Sequence, residues 1–179
     1  MRTRIQFSSA IALSGVLLGS VLIAAPAAPA AAATGVTLTV VGGALSITVP
    51  ATANLGTWTN TVAGGTLSTA LGQVQVNDAR SPAAGSGWVA TVISTALTPS
   101  SGPTIAAALM GYTAGPIVKV GTATYVANNP ATLEGVVAAV TASGITGDNS
   151  ATWNPTINVH IPGGTLAGDY TGTITHSVS

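Results

Sequence analysis

Apolar and polar residues alternate with a period of two in several short windows of the chain, and no long window places apolar residues at helical spacing. Strands should therefore dominate. Val36 to Val41 and Leu45 to Val49 flank Gly42-Gly43-Ala44, the pattern of a hairpin turned by glycines, with Pro50 closing the second strand. Leu71 to Asn77 sets Leu71, Gln73, Gln75 and Asn77 on one face and Val74 and Val76 on the other, as in a half-buried strand. Asp78-Ala79-Arg80-Ser81-Pro82 and Gly85-Ser86-Gly87 carry turn chemistry, after which Trp88 to Thr95 resumes as a β-branched strand.

Ile105 to Met110 is the only helix-tolerant patch and reads as a short helical turn or loop. Ile117 to Val126 and Leu133 to Thr141 are expected strands separated by a Gly/Asn/Pro break. In Thr152 to Pro162, Ile157, Val159 and Ile161 stand opposite Thr156, Asn158 and His160. Gly163-Gly164 and Gly168 then break the chain before a last strand, Asp169 to Val178, with Tyr170, Ile174, His176 and Val178 on one face. Short strands punctuated by Gly and Pro predict an all-β fold, an antiparallel β-sandwich of Ig-like or Greek-key character.

The N-terminus follows a different pattern. Arg2 and Arg4 precede an apolar run from Ile11 to Ala25, and Ala31-Ala32-Ala33 supplies small residues, the layout of a secretory signal over residues 1–33. An uncleaved anchor is the other reading, but the apolar core falls short of the roughly 20 residues a spanning helix needs. Cleavage leaves residues 34–179, close to the usual size of one domain.

Composition narrows the function classes. Only 4% of residues are charged, against roughly 25% in an ordinary soluble domain. With 47% apolar residues the chain has the hydrophobicity to fold, which disordered chains lack. Beyond the signal, Arg80 and Lys119 stand against Asp78, Glu134, Asp148 and Asp169, so the exported part is slightly acidic. Two basic residues cannot neutralise a run of phosphates, which excludes nucleic acid as a partner. Cysteine is absent, so there are no disulfides, thiol chemistry or Cys-ligated metals. Ser179 follows neither an apolar tail nor a basic cluster, so no membrane partner is expected after signal cleavage.

Few residues can carry chemistry. His160 and His176 are the only histidines, neither adjoins a Gly-x-Ser-x-Gly elbow, and their spacing fits no zinc motif. His160 falls on a polar face and reads as solvated; His176 falls on an apolar face and reads as a buried neutral imidazole. A pair of glycosidase carboxylates would have to come from Asp78, Glu134, Asp148 and Asp169, of which Asp148 and Asp169 sit in turn-like Gly-Asp contexts. No catalytic residue, metal or cofactor is assigned. Asp78-x-Arg80 reads either as a local ion pair bracing a turn or as a polar clamp beside Trp88 at a ligand face. Trp58, Trp88, Trp153 and Tyr170 divide in the same way, between core anchors and sugar-stacking platforms.

From Leu71 the order of residues carries a resemblance. Leu71-Gly72-Gln73-Val74-Gln75-Val76-Asn77-Asp78-Ala79-Arg80, Gly87-Trp88, Trp153-Asn154-Pro155, and Ala167-Gly168-Asp169-Tyr170-Thr171-Gly172 to Val178 together resemble the WxL-domain surface proteins of Gram-positive bacteria. The resemblance implies an exported β-rich domain that attaches non-covalently to the cell wall, through peptidoglycan or an attached polysaccharide, alongside other surface proteins. The sequence departs from the Trp-x-Leu motifs that name the family: the first reads Trp88-Val89-Ala90 and the second His176-Ser177-Val178. The resulting expectation is a secreted, non-enzymatic, wall-associated domain whose ligand-binding candidates are Asp78, Arg80, Trp88, Trp153, Tyr170 and His176. The alternative is a structural coat or adhesin subunit that associates with itself or a partner, because the Thr- and Gly-rich surface lacks the charges that discourage strand pairing.

Overall fold

The computed structural model describes residues 33–81 and 84–179; the stretch expected to be a signal, residues 1–33, lies outside them except for Ala33. Residues 39–179 form one compact unit. Among the described residues eleven strands run as β1 (Leu45–Thr48), β2 (Gly64–Ala70), β3 (Val74–Asp78), β4 (Ser86–Ser94), β5 (Thr98–Pro99), β6 (Met110–Thr113), β7 (Val118–Ala127), β8 (Val137–Trp153), β9 (Thr156–Pro162), β10 (Tyr170–Thr171) and β11 (Ile174–Val178). A 3-10 turn at Ala107–Leu109 is the only helix among the described residues, within the patch expected to tolerate one. None of those residues forms a helix long and apolar enough to cross a membrane.

The fold is an all-β sandwich of antiparallel sheets. The larger sheet has the order β1-β3-β8-β4-β11 with β7 on the other side of β8, and the smaller has the order β2-β9-β6. A two-stranded ribbon joins β5 and β10. β8 organises the larger sheet. Its C-terminal part, Asn149 to Trp153, pairs with β3, while Val137 to Ile145 pairs with β4. Both partners lie on one edge of β8, end to end. Outside this row, β1 pairs with β3 and β11 with β4, and the two meet at the far edge.

The core lies where the inner faces of the sheets meet. Val74, Val76, Trp88, Ala90, Val92, Val140, Ala151 and Trp153 of the larger sheet are buried with Met110, Tyr112, Ile157, Val159 and Ile161 of the smaller. Each fully buried branched or aromatic side chain contributes on the order of 2 kcal/mol of transfer free energy. The alternation read in the sequence survives in β3, where Val74 and Val76 are buried, and in β9, where Ile157, Val159 and Ile161 are buried and His160 is exposed.

Several boundaries differ from the sequence expectation. Val36 to Val41 forms no strand and no hairpin with β1. Instead the N–H of Gly43 donates to the Ala79 carbonyl and that of Ala79 to the Ala44 carbonyl, which sets this segment against the chain following β3. A side chain at Gly42 would collide with the Arg80 carbonyl, so the glycines serve close backbone approach rather than a turn. β2 was not expected, since Leu67 is its only large apolar residue. Leu133 is buried but precedes its expected strand: its backbone bonds Ser94 and Ala107, and β8 begins at Val137.

β8 then runs through Gly147-Asp148, which reads as a turn. Gly144 and Gly147 adopt φ of 63° and 69°, and the pairing shifts register there, so the glycines bend the strand without ending it. Thr152 to Pro162 is divided at Asn154-Pro155, where the chain passes from the larger sheet to the smaller. Asp169 to Val178 is also divided. A side chain at Gly172 would collide with Leu97 and crowd the Ala96 carbonyl, between Tyr170 in the ribbon and Ile174 in the sheet.

Candidate functional site

The alternation that buries Val74 and Val76 also turns Asp78 inward, where it is 1% exposed. Its carboxylate accepts a forked pair of bonds from Arg80, Nε to Oδ1 at 2.8 Å and a terminal guanidinium nitrogen to Oδ2 at 3.0 Å. The Arg80 backbone N–H adds a bond at 3.2 Å and the Asn149 amide another at 3.3 Å. The Arg80 guanidinium beside it holds the Asp78 carboxyl below the usual carboxylate range, against the opposing effect of burial. Both carboxylate oxygens are thus engaged within the protein. Arg80 reaches on to the Gly87 carbonyl at 3.3 Å, and Ser81 donates its N–H and hydroxyl to Asp148 at 3.1 and 2.7 Å. Asp78-x-Arg80 is therefore placed as a brace for the loop between β3 and β4.

Asn149 continues the network into the core. Its amide oxygen accepts the Trp88 indole N–H at 3.0 Å and the Tyr125 hydroxyl at 3.1 Å. The rings of Trp88 and Tyr125 are tilted at 51° with centroids 5.7 Å apart, and Lys119 Nζ lies 6.0 Å from the Tyr125 ring centre. Trp88 is 2% exposed, so its ring presents no stacking face to solvent. Asn149 and Tyr125 did not stand out in the sequence; a buried amide in a Gly-Asp-Asn-Ser stretch leaves no periodic signature.

A second cluster joins Trp153 and His176. The Trp153 indole donates to the Tyr112 hydroxyl at 2.7 Å, and His176 Nε2 lies 3.2 Å from the same oxygen. Trp153 and Tyr112 are buried and His176 is half-buried. Burial pushes the imidazole down to about 4, so it is neutral at physiological pH, and raises the Tyr112 phenol well above its usual range. His176 Nδ1 is buried with no hydrogen-bond partner among the described residues. Tyr170 joins neither cluster: it pairs with Pro99 in the ribbon and donates its hydroxyl to the Leu166 carbonyl at 3.0 Å.

The six sequence candidates therefore separate. Asp78, Arg80 and Trp88 come together around Asn149, Trp153 and His176 around Tyr112, and Tyr170 stands alone. An open cleft of about 350 Å³ lies against the β2-β9-β6 sheet; of the residues in the two clusters only Tyr112 lines it, and none of the six candidates does. Thr66, Thr113, Asn129, Asn158 and His160 give it hydroxyl, amide and imidazole groups, and Leu109 contributes an apolar wall. Ser68 donates to Asn158 Oδ1 at 2.7 Å, and Asn158 donates to Thr113 at 3.2 Å, which fixes the amide within the sheet. The Ala114 N–H donates to Asn129 Oδ1 at 2.9 Å. The lining carries no Asp, Glu, Lys or Arg. Of these residues only Asn158 and His160 had a sequence signal, the polar face of the strand that became β9. No family model matches the chain, and neither the comparison with curated proteins nor that with solved structures returns a match.

Proposed function

We propose that the protein is an exported, non-enzymatic surface domain that binds bacterial cell-wall polymer non-covalently, with the cleft over β2, β9 and β6 as its contact site. The observation that carries the reading is the cleft's chemistry: hydroxyl, amide and imidazole groups beside an apolar wall, with no ionic side chain. Uncharged donors and acceptors beside apolar carbon match the alternating hydroxyl and C–H faces of a sugar. The N-terminal pattern of an export signal and the WxL-like blocks agree with it. Asp78 is engaged in the interior and His176 sits half-buried against Tyr112, so the cleft holds His160 with no carboxylate beside it, which favours binding over turnover.

Incubation with purified walls followed by sedimentation tests this. The protein is expected in the pellet, and Asn158→Ala combined with His160→Ala lowers the bound fraction about tenfold, the loss of two modest hydrogen bonds. Recovery of the unaltered protein wholly in the supernatant would sink the proposal.

A further inference from the structure

Val36–Val41 has the alternation of a strand and none of a strand's partners. Val36, Leu38, Val40 and Val41 are 91%, 87%, 79% and 83% exposed, and no residue from 33 to 44 lies in a strand. Apolar side chains grouped so densely in water mark a contact surface. The sandwich, meanwhile, leaves a long edge open. β7 is ten residues long and pairs with β8 along one side only. Its other side pairs with no strand among the described residues and carries the single charge of Lys119, where edge strands are usually shielded more heavily. Ala123, Tyr125 and Ala127 form a half-buried row on its inner face, and that row ends at the edge.

We propose that Val36–Val41 of one copy adds to the free edge of β7 in a second copy as a further strand. Val36, Leu38 and Val40 then continue the row of Ala123, Tyr125 and Ala127, while Thr37 and Thr39 face solvent beside Thr122 and Thr124. A chain cannot make this contact with itself. The bonds between Gly43, Ala44 and Ala79 fix the end of the segment in the β1 row. From there β3 and β8 intervene before β7, about 14 Å at normal strand spacing, and six residues span only about 20 Å. The segment cannot cross that distance and still lie along β7. Donor and acceptor surfaces differ, so repetition of the contact links copies head to tail.

The absence of native cysteine gives a direct test on protein produced from the full sequence. Thr39→Cys protein is mixed with Thr122→Cys, Thr124→Cys or Val126→Cys protein and oxidised. A disulfide joining one of each kind is expected, in yield well above either preparation alone. Val36→Asp with Leu38→Asp should convert concentration-dependent sedimentation to a single monomer boundary, with the near-ultraviolet circular dichroism of the folded domain retained. The proposal is overturned by a monomeric profile of the unaltered protein at high concentration. It is equally overturned by assembly that survives the double substitution, or by Thr39→Cys linking to itself as readily as to the β7 cysteines.

Discussion

The Trp88 indole N–H is donated to the amide oxygen of Asn149 at 3.0 Å, across 61 positions of sequence, and both residues are buried. This bond ties β4 to β8 beside the loop that separates β3 from β4. It makes Asn149 the hydrogen-bond partner that Trp88, Tyr125 and Asp78 share.

Asn149→Ala removes the acceptor of the buried Trp88 N–H and of the half-buried Tyr125 hydroxyl, and one donor to a buried carboxylate. Leaving such groups unpaired costs about 3 kcal/mol in all. Urea unfolding followed by tryptophan fluorescence should show that loss, and a variant as stable as the parent would refute the role given to Asn149.

Stability should fall with pH in two separate windows. The folded His176 titrates near 4 against 6.5 when unfolded, so as pH drops from 6.5 toward 4 the unfolded chain takes up a proton that the folded one refuses. Stability declines across that window by roughly 3 kcal/mol at most. The Asp78 carboxyl is also depressed on folding; its stabilisation is present above the unfolded value of 3.8 and is lost as pH falls through the lower folded value. Urea midpoints at pH 7 and 4.5 should differ for the parent and converge for His176→Gln, with the drop below pH 4 retained.

Gly87→Ala places a methyl group 2.6 Å from the Ala142 carbonyl oxygen, where β4 and β8 shift register. Backbone must move to admit it, at about 2 kcal/mol. Gly168→Ala meets nothing within 4 Å and should be neutral to within about 0.5 kcal/mol. Thermal unfolding of the pair checks the contrast.

Trp153→Phe keeps most of the buried ring but leaves the Tyr112 hydroxyl without its indole donor. A loss of roughly 2 kcal/mol is expected, with the proposed wall binding by the folded protein unchanged. Reduced binding at full folding would place Trp153 at the ligand instead of in the core.

Strands with a one-sided apolar face were legible: β3 and β9 announce their buried rows through Val74 and Val76 and through Ile157, Val159 and Ile161. β2 was not, because a strand of Gly, Thr and Ser around Leu67 carries no such row. Gly144, Gly147 and Asp148 concealed the continuity of β8, since the same residues that end strands can also bend them. Val36–Val41 failed in the opposite sense, with a strand's pattern and no strand partner among the described residues. Asp78-x-Arg80 was visible as a local pair two residues apart. Asn149, Tyr112 and Tyr125 were not, because bonds such as Tyr112 to Trp153, 41 residues away, exist only once the sheets have formed.

The position of β8 also fixes when the molecule can fold. β3 and β4 precede it in the chain, run in the same direction and do not pair with each other, so both wait on a template that is complete only at Trp153. Native contacts in the larger sheet are consequently distant in sequence, a high contact order that makes closure slow and late. For a chain synthesised from its N-terminus, β2 and β6 wait longer still, because their shared partner β9 follows Trp153, and β4 gains its second neighbour only with β11 at the C-terminus.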